Sequence, residues 1–301
     1  MSRTLAARQH RRSCISGCAA FGLAVIVAFG LWTGYQNLFV LETTEYEVTA
    51  HPDAPSVPDA FDGFRIVQVA DLHAHQHGAR GDRLIQAVAA ARPDIIVLTG
   101  DQISMDSGQA DIDFAMETIR RLSEIAPVYL ITGNHEAGHR DIDQILVEFE
   151  AAGAHLLRNE TTMIERGGQR IELAGVDDPN MRWSDTARMG DAAAAEQNLA
   201  EVGFTPGEYT VLLAHRPDEF TVYAQSPAEL VLAGHNHGGQ VRIPGVGGLI
   251  NPKRELFPAY TEGSFTKGGT EMIVSRGLGD SLLPVRINNP YEVVVVTLHA
   301  R

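Results

Sequence analysis

Five short runs of the chain place oxygen- and nitrogen-bearing side chains directly after apolar stretches. Asp71 and His73 follow Val67-Gln68-Val69-Ala70, and Gly100-Asp101 follows Ile95–Thr99. Gly133-Asn134-His135-Glu136 follows Tyr129–Thr132, His215 follows Val211–Ala214, and Gly234-His235-Asn236-His237 follows Leu230–Ala233. Carboxylate oxygen, amide oxygen and imidazole nitrogen together suit intermediate divalent metals such as Mn, Fe and Zn. The only cysteines, Cys14 and Cys18, lie near the N-terminus, which excludes a thiolate zinc site in the body of the chain. The candidate ligands Asp71, His73, Asp101, Asn134, His215, His235 and His237 exceed what one ion needs, whereas two ions sharing a bridging carboxylate would use them. A lone Asp-x-His or Gly-Asp means little. The weight lies in five runs that share one placement.

That placement demands elements that deliver every run to a common locus. Apolar runs at Arg65–Ala70, Asp94–Thr99, Val128–Thr132, Arg170–Val176, Tyr209–Ala214, Glu229–Ala233, Met272–Ser275 and Glu292–Leu298 predict strands. Helical spacing predicts helices at Asp82–Ala91, Asp111–Ile125 and Asp141–Ala152. Strands alternating with helices imply an α/β fold with a largely parallel sheet covered by helices. Ligands in such folds bind outside the carboxyl ends of the strands, so the seven side chains should meet at one sheet edge.

Block by block, Asp71-x-His73, Gly100-Asp101, Gly133-Asn134-His135-Glu136, His215 and Gly234-His235-x-His237 resemble the calcineurin-like metallophosphoesterases, over about Phe64 to Leu298. Gly238-Gly239-Gln240-Val241, Ser275-Arg276-Gly277-Leu278-Gly279 and Pro284-Val285-Arg286-Ile287-Asn288-Asn289-Pro290 look like the bacterial membrane-anchored branch. The resemblance implies a four-layer α/β/β/α sandwich with two central mixed sheets. It also implies one ion held by Asp71, His73, Asp101 and His237, and another by Asp101, Asn134, His215 and His235. The expected chemistry is hydrolysis of a phosphodiester or pyrophosphate bond by a hydroxide bridging the two ions. His135, beside the ligand Asn134, should face the substrate as an acid or charge-stabilising group, with Glu136 a candidate to orient it. The alternatives are a non-catalytic metal-binding scaffold of the same fold and an amide or β-lactam hydrolase. The latter lacks support because its His-x-His-x-Asp-His cluster is absent.

The N-terminal residues 1–14 carry Arg3, Arg8, Arg11 and Arg12 without an acid, and 15–38 is apolar or small, ending near Trp32 and Tyr35. This is the pattern of a single-pass anchor with the body outside the cytoplasm. A cleaved signal peptide is disfavoured by Leu31-Trp32-Thr33-Gly34-Tyr35, a poor cleavage site. Residues 39–60, with Pro52, Pro55 and Pro58, read as a linker with one edge strand at Tyr46–Thr49, and 61–301 as the catalytic domain. The 24 basic and 38 acidic residues give a formal charge of −14, which argues against long nucleic acid as a partner. An anchored body points instead to a lipid- or envelope-linked phosphoester, with Gly245–Gly248 and Lys253–Tyr260 as a candidate rim. Arg216 and Arg276 are either phosphate contacts or salt-bridged. His139 and Arg140 either touch substrate or lie on the surface, and His75 and His77 read as a solvated loop.

Overall fold

A computed structural model of the protein describes residues 2–182, 187, 189–280 and 285–301. Met1 of the basic segment and Pro284 of the tail motif lie outside the described residues. The chain divides into two compact units, Met1–Val40 and Leu41–Arg301. The first is a single helix, α1 (Ser2–Phe39), so the basic segment and the apolar segment share one continuous helix. Within it Phe21–Phe39 is long and apolar enough to cross a membrane.

The second unit holds two six-stranded mixed sheets. One sheet comprises β1 (Leu41–Thr49), β2 (Phe64–Val69), β3 (Ile95–Thr99), β4 (Val128–Ile131), β5 (Ala154–Leu156) and β14 (Tyr291–His299), in the order β1-β14-β2-β3-β4-β5. The other comprises β6 (Glu160–Arg166), β7 (Gln169–Gly175), β8 (Thr210–Leu213), β9 (Leu230–Ala233), β12 (Gly263–Lys267) and β13 (Thr270–Val274), in the order β12-β13-β9-β8-β7-β6. A small hairpin of β10 (Arg242–Ile243) and β11 (Gly247–Gly248) stands apart. The single, largely parallel sheet expected from periodicity is thus replaced by two sheets, as the family resemblance implied. Periodicity reports that a strand is buried, and does not say which sheet it joins.

The two faces of each strand explain the layers. In β2 Ile66 enters the core between the sheets, while Val67 and Val69 point to the helices outside. In β3 Ile95 and Val97 face inward, and Ile96 and Leu98 outward. Strands covered on both faces read as continuous apolar runs, which is why Ile95–Thr99 and Val293–Val296 show no polar alternation. The inter-sheet core draws Leu173, Val211, Leu213, Leu232 and Ile273 from the second sheet. Over the first sheet lie α2 (Asp82–Ala91), α3 (Gln109–Ser123) and α5 (Ile142–Ala151), contributing Leu84, Val88, Ile112, Ile119, Ile145 and Phe149. The helices Asp191–Glu201 and Phe220–Tyr223 cover the second sheet through Ala195, Phe220, Val222 and Tyr223. The result is a four-layer α/β/β/α sandwich.

The strand expected at Tyr46–Thr49 begins earlier, at Leu41, and pairs in parallel with β14 over its whole length. Its sequence, Leu-Glu-Thr-Thr-Glu-Tyr-Glu-Val-Thr, is polar because this edge strand is largely exposed until Val48.

Candidate metal centre

The carboxyl ends of β2, β3 and β4 in one sheet, and of β8 and β9 in the other, all deliver candidate ligands. Both sheets therefore build the site, at the end where the inter-sheet core stops. Donor atoms of Asp71, His73, Asp101 and His237 lie within 4.8 Å of one another, as do those of Asp101, His215 and His235. Asn134 joins the second group through Oδ1, 3.1 Å from His215 Nε2. All seven predicted ligands come together, and Asp101 is common to both groups.

The chain turns sharply to achieve this. Asp71, His73, Asp101, His235 and His237 all adopt φ between 46° and 66°. Left-handed backbone is uncommon for residues other than glycine and typically persists only where the surroundings enforce it. One brace is direct: the His235 N–H donates to both carboxylate oxygens of Asp71, at 2.9 and 3.0 Å. Gly100, at φ 89°, has no room for a side chain; a Cβ there would lie 2.7 Å from the Gly133 backbone and from His215 Nδ1.

Hydrogen bonds assign the ring nitrogens. His215 Nδ1 lies 2.8 Å from the Thr99 carbonyl and so donates to it, which turns the Nε2 lone pair inward. That lone pair faces Asp101 Oδ2 at 3.2 Å, Asn134 Oδ1 at 3.1 Å and His235 Nδ1 at 3.2 Å. Two oxygen acceptors around a lone pair repel unless a proton or a cation sits among them. Burial disfavours a charged His215, yet the Asp101 carboxylate outweighs burial and raises its pKa to about 10. Burial alone would raise the Asp101 carboxyl, but His215 holds it well below the usual range. Asp71 is pushed up to about 7 by burial and by Asp101. His73 Nε2 and His237 Nε2 face each other at 3.3 Å, and His237 Nδ1 lies 3.3 Å from the Gly279 carbonyl. His235 Nε2 is buried with no partner among the described residues. The donor set and the opposed lone pairs fit two divalent cations better than protons, which cannot satisfy so many donors at once.

Glu136 is a brace of a kind the sequence did not disclose. It was a candidate to orient His135, but its buried carboxylate instead accepts four backbone N–H groups. These come from Asp101 (2.7 Å), Gln102 (2.6 Å), Ile103 (3.2 Å) and Gly133 (2.9 Å). It therefore holds the turn that carries Asp101, while burial and Asp101 push its own pKa up to about 7. His135 sits half-buried in α4 (Asn134–Gly138), edge-on to His73 with ring centroids 4.6 Å apart. The Met105 N–H donates to His135 Nδ1 at 3.0 Å, so the neutral ring carries its proton on Nε2.

Other polar residues settle into structural roles. Arg216 is buried and paired with Asp178 and Asp191, each at 2.7 Å, and Arg276 is paired with Glu292 and Glu42. The salt-bridged alternative describes both arginines. His77 is buried against His75 and Tyr291, with Nε2 2.6 Å from the Leu278 carbonyl, so the expected solvated loop is instead a packed ring cluster. His139 is buried and accepts the Asp141 N–H, while Arg140 is exposed. Gly277, Gly279, Arg286 and Asn289 support the site without having been assigned a role. A Cβ at Gly277 would lie 2.7 Å from Asp71 Oδ2, and Asn289 donates to the His237 carbonyl at 2.7 Å. Gly277 and Gly279 lie in the glycine-rich run after β13, and Arg286 and Asn289 in the Pro284–Pro290 run, whose partners lie far away in sequence.

Known proteins match this pattern. A model described as calcineurin-like phosphoesterase matches residues 64–239. The chain is 29% identical over 299 residues to the metallophosphoesterase YkuE of Bacillus subtilis, covering 98% of each chain. It is 30% identical over 240 residues to the phosphodiesterase YaeI of Escherichia coli, covering 78% of this chain and 82% of that one. A transmembrane protein with metallophosphoesterase domain from Bos taurus is 27% identical over 85% of this chain and 57% of its own.

Proposed function

Because the chain belongs to the calcineurin-like phosphoesterase family and is a phosphoester hydrolase, we propose that it cleaves phosphodiester or pyrophosphate bonds at a dinuclear centre. Asp71, His73, Asp101 and His237 would hold one ion, and Asp101, Asn134, His215 and His235 the other. When bound, such a pair supplies Lewis acidity toward a phosphoryl group and makes a nucleophile available at neutral pH. Mn, Fe and Zn all suit the mixed oxygen and nitrogen donors. The observation that carries this reading is the inward lone pair of His215, ringed by Asp101, Asn134 and His235.

The residues themselves divide the remaining work. Asp101 is shared by both ligand groups and is kept in place by Glu136. His135, its Nδ1 committed to Met105, is half-buried beside His73 and keeps Nε2–H as its donor; it is suited to protonate a leaving oxygen or donate to a phosphoryl oxygen. The choice of a diester follows the resemblance to the phosphodiesterase YaeI. We further assign α1 as a single-pass anchor. Its arginines at 3, 8, 11 and 12 precede the apolar stretch, which favours an extracytoplasmic body and a lipid- or envelope-linked substrate. Residues 61–301 then carry the catalytic domain, to which the edge strand β1 is added.

The test is hydrolysis of bis(p-nitrophenyl) phosphate by the full chain with added Mn, compared with p-nitrophenyl phosphate. His135→Ala should lower turnover by about 10²–10⁴-fold while metal content is retained. Undiminished turnover in that variant would remove His135 from the chemistry.

A further inference from the structure

The exposed large apolar side chains of the second unit are unevenly distributed. Among the described residues they are Met105, Val147, Met189, Ile243, Val246, Leu256, Phe257 and Val285. Five of these eight lie on segments linked by hydrogen bonds, directly or through Leu249, to Gly239–Val241, the stretch directly after His237. Ile243 and Val246 belong to the β10–β11 hairpin, and Leu249 donates from it to the Gly239 and Val241 carbonyls at 3.1 and 2.8 Å. Leu256 and Phe257 sit on the following loop, where the Phe257 N–H donates to the Leu249 carbonyl at 2.9 Å. Val285 accepts from Gln240 Nε2 at 3.0 Å. Leu256 and Phe257 are 66% and 55% exposed, and Phe257 is held at φ 54°. Covering these side chains would remove their apolar surface from water.

The position of this rim relative to the start of the unit is informative. Leu41 pairs with Tyr291, and Glu42 bonds Arg276 at 2.8 Å. Arg276 also meets Glu262 at 3.3 Å, and Glu262 pairs with Arg242 of the hairpin. An unbroken ion-pair chain thus joins the first residues of β1 to the apolar hairpin. Only Val40 separates Leu41 from the end of α1, and one residue spans under about 4 Å. If α1 crosses a bilayer, the first residues of β1 are held at its surface, whatever the direction of α1.

We infer that the rim formed by Ile243, Val246, Leu256, Phe257 and Val285 docks into the lipid interface of the anchoring membrane. The ligand cluster would then open beside the headgroups. This deepens the proposed function, and rests on its reading of α1 as an anchor: the substrate is a phosphoester carried by a membrane lipid, reached without leaving the bilayer. On the same loop Arg254 is an exposed basic group next to that interface, whereas Lys253 is paired with Asp191 at 2.8 Å. A lipid surface is the occupant because the rim's hairpin is joined by ion pairs to the first residues of β1, one residue from the end of α1.

The full chain is reconstituted in nanodiscs of phosphatidylcholine with brominated acyl chains, and tryptophan emission is read against the unmodified protein. Phe257→Trp is the probe, and Val147→Trp, on the exposed face of α5, is the control. Interfacial residues sit about 5–10 Å into the headgroup boundary, so the Phe257→Trp signal should be quenched about twofold or more beyond the control. Equal quenching of the two, or failure of the chain to remain with the nanodiscs, overturns the inference. So does protection of Phe257→Trp that appears only as protein concentration rises, which would assign the rim to a second copy of the chain. Hydrolysis of bis(p-nitrophenyl) phosphate by the unmodified protein is measured in parallel. Hydrolysis without selective quenching defeats the docking alone, whereas quenching without hydrolysis supports the docking and defeats the enzymatic reading alone.

Discussion

Replacing Glu136 by glutamine changes one oxygen to an amide and leaves the volume almost the same. The carboxylate serves two pairs of donors: Oε1 accepts from Gln102 and Ile103, and Oε2 from Asp101 and Gly133. A glutamine can keep one pair. Its NH₂ group must then face the other two N–H groups, donor against donor, inside a fully buried site. Each orphaned buried donor costs about 1–3 kcal/mol, so the two together should remove roughly 2–6 kcal/mol of stability. For a unit of this size that lowers the melting temperature by roughly 4–24 °C. The pair that includes Asp101 N–H steers the backbone at φ 55°, so metal affinity should fall together with stability. Thermal unfolding by circular dichroism, with and without added Mn, measures both effects. A variant melting within a degree or two of the parent, with unchanged metal affinity, would refute the role of Glu136 as the brace of the Asp101 turn.

Further outcomes follow from the same geometry. Gly100→Ala should give little or no folded protein with bound metal, because its Cβ would meet the Gly133 backbone and His215 Nδ1 at 2.7 Å, at a φ of 89°; metal content of the purified variant checks this, and full loading would show that the turn can yield. Burial pushes Glu229 up to about 7 from its ordinary 4.5 although the Thr210 N–H donates to it at 2.6 Å. The folded protein therefore binds more protons than the unfolded chain between these values, so this group's contribution to stability is greatest below pH 4.5 and declines as pH rises through about 7. Glu229→Gln should accordingly gain stability over the parent as pH rises from 5 to 8 in paired urea titrations, and a difference independent of pH would contradict the burial account.

Much of the site was legible because metal chemistry restricts residue types and because strand ends announce themselves as apolar runs. Asp71, His73, Asp101, Asn134, His215, His235 and His237 each follow such a run, and the fold brings all of them together. The two-sheet arrangement was not legible from periodicity. Ile66 and Val67 are equally buried, one between the sheets and one beneath helices, so nothing in the pattern separates the two faces. β1 was foreshortened because only Val48 of its nine residues is buried, leaving a polar edge that reads as linker. Glu136 was misjudged for a different reason. Three of its four partners are backbone N–H groups more than 30 residues earlier in the chain, and backbone donors leave no mark in a sequence. The packing of His77 against Tyr291 was hidden in the same way, since the two are brought together only by the return of β14 beside β2.

Metal stoichiometry is the most direct measurement on the proposed centre. The metal-depleted full chain is titrated with Mn in a calorimeter and the ions are counted by elemental analysis, beside Asp101→Asn. Two ions per chain, reduced to one or fewer in Asp101→Asn, is the predicted result. A single ion at saturation in the unmodified protein, or two fully occupied sites without the Asp101 carboxylate, would contradict it.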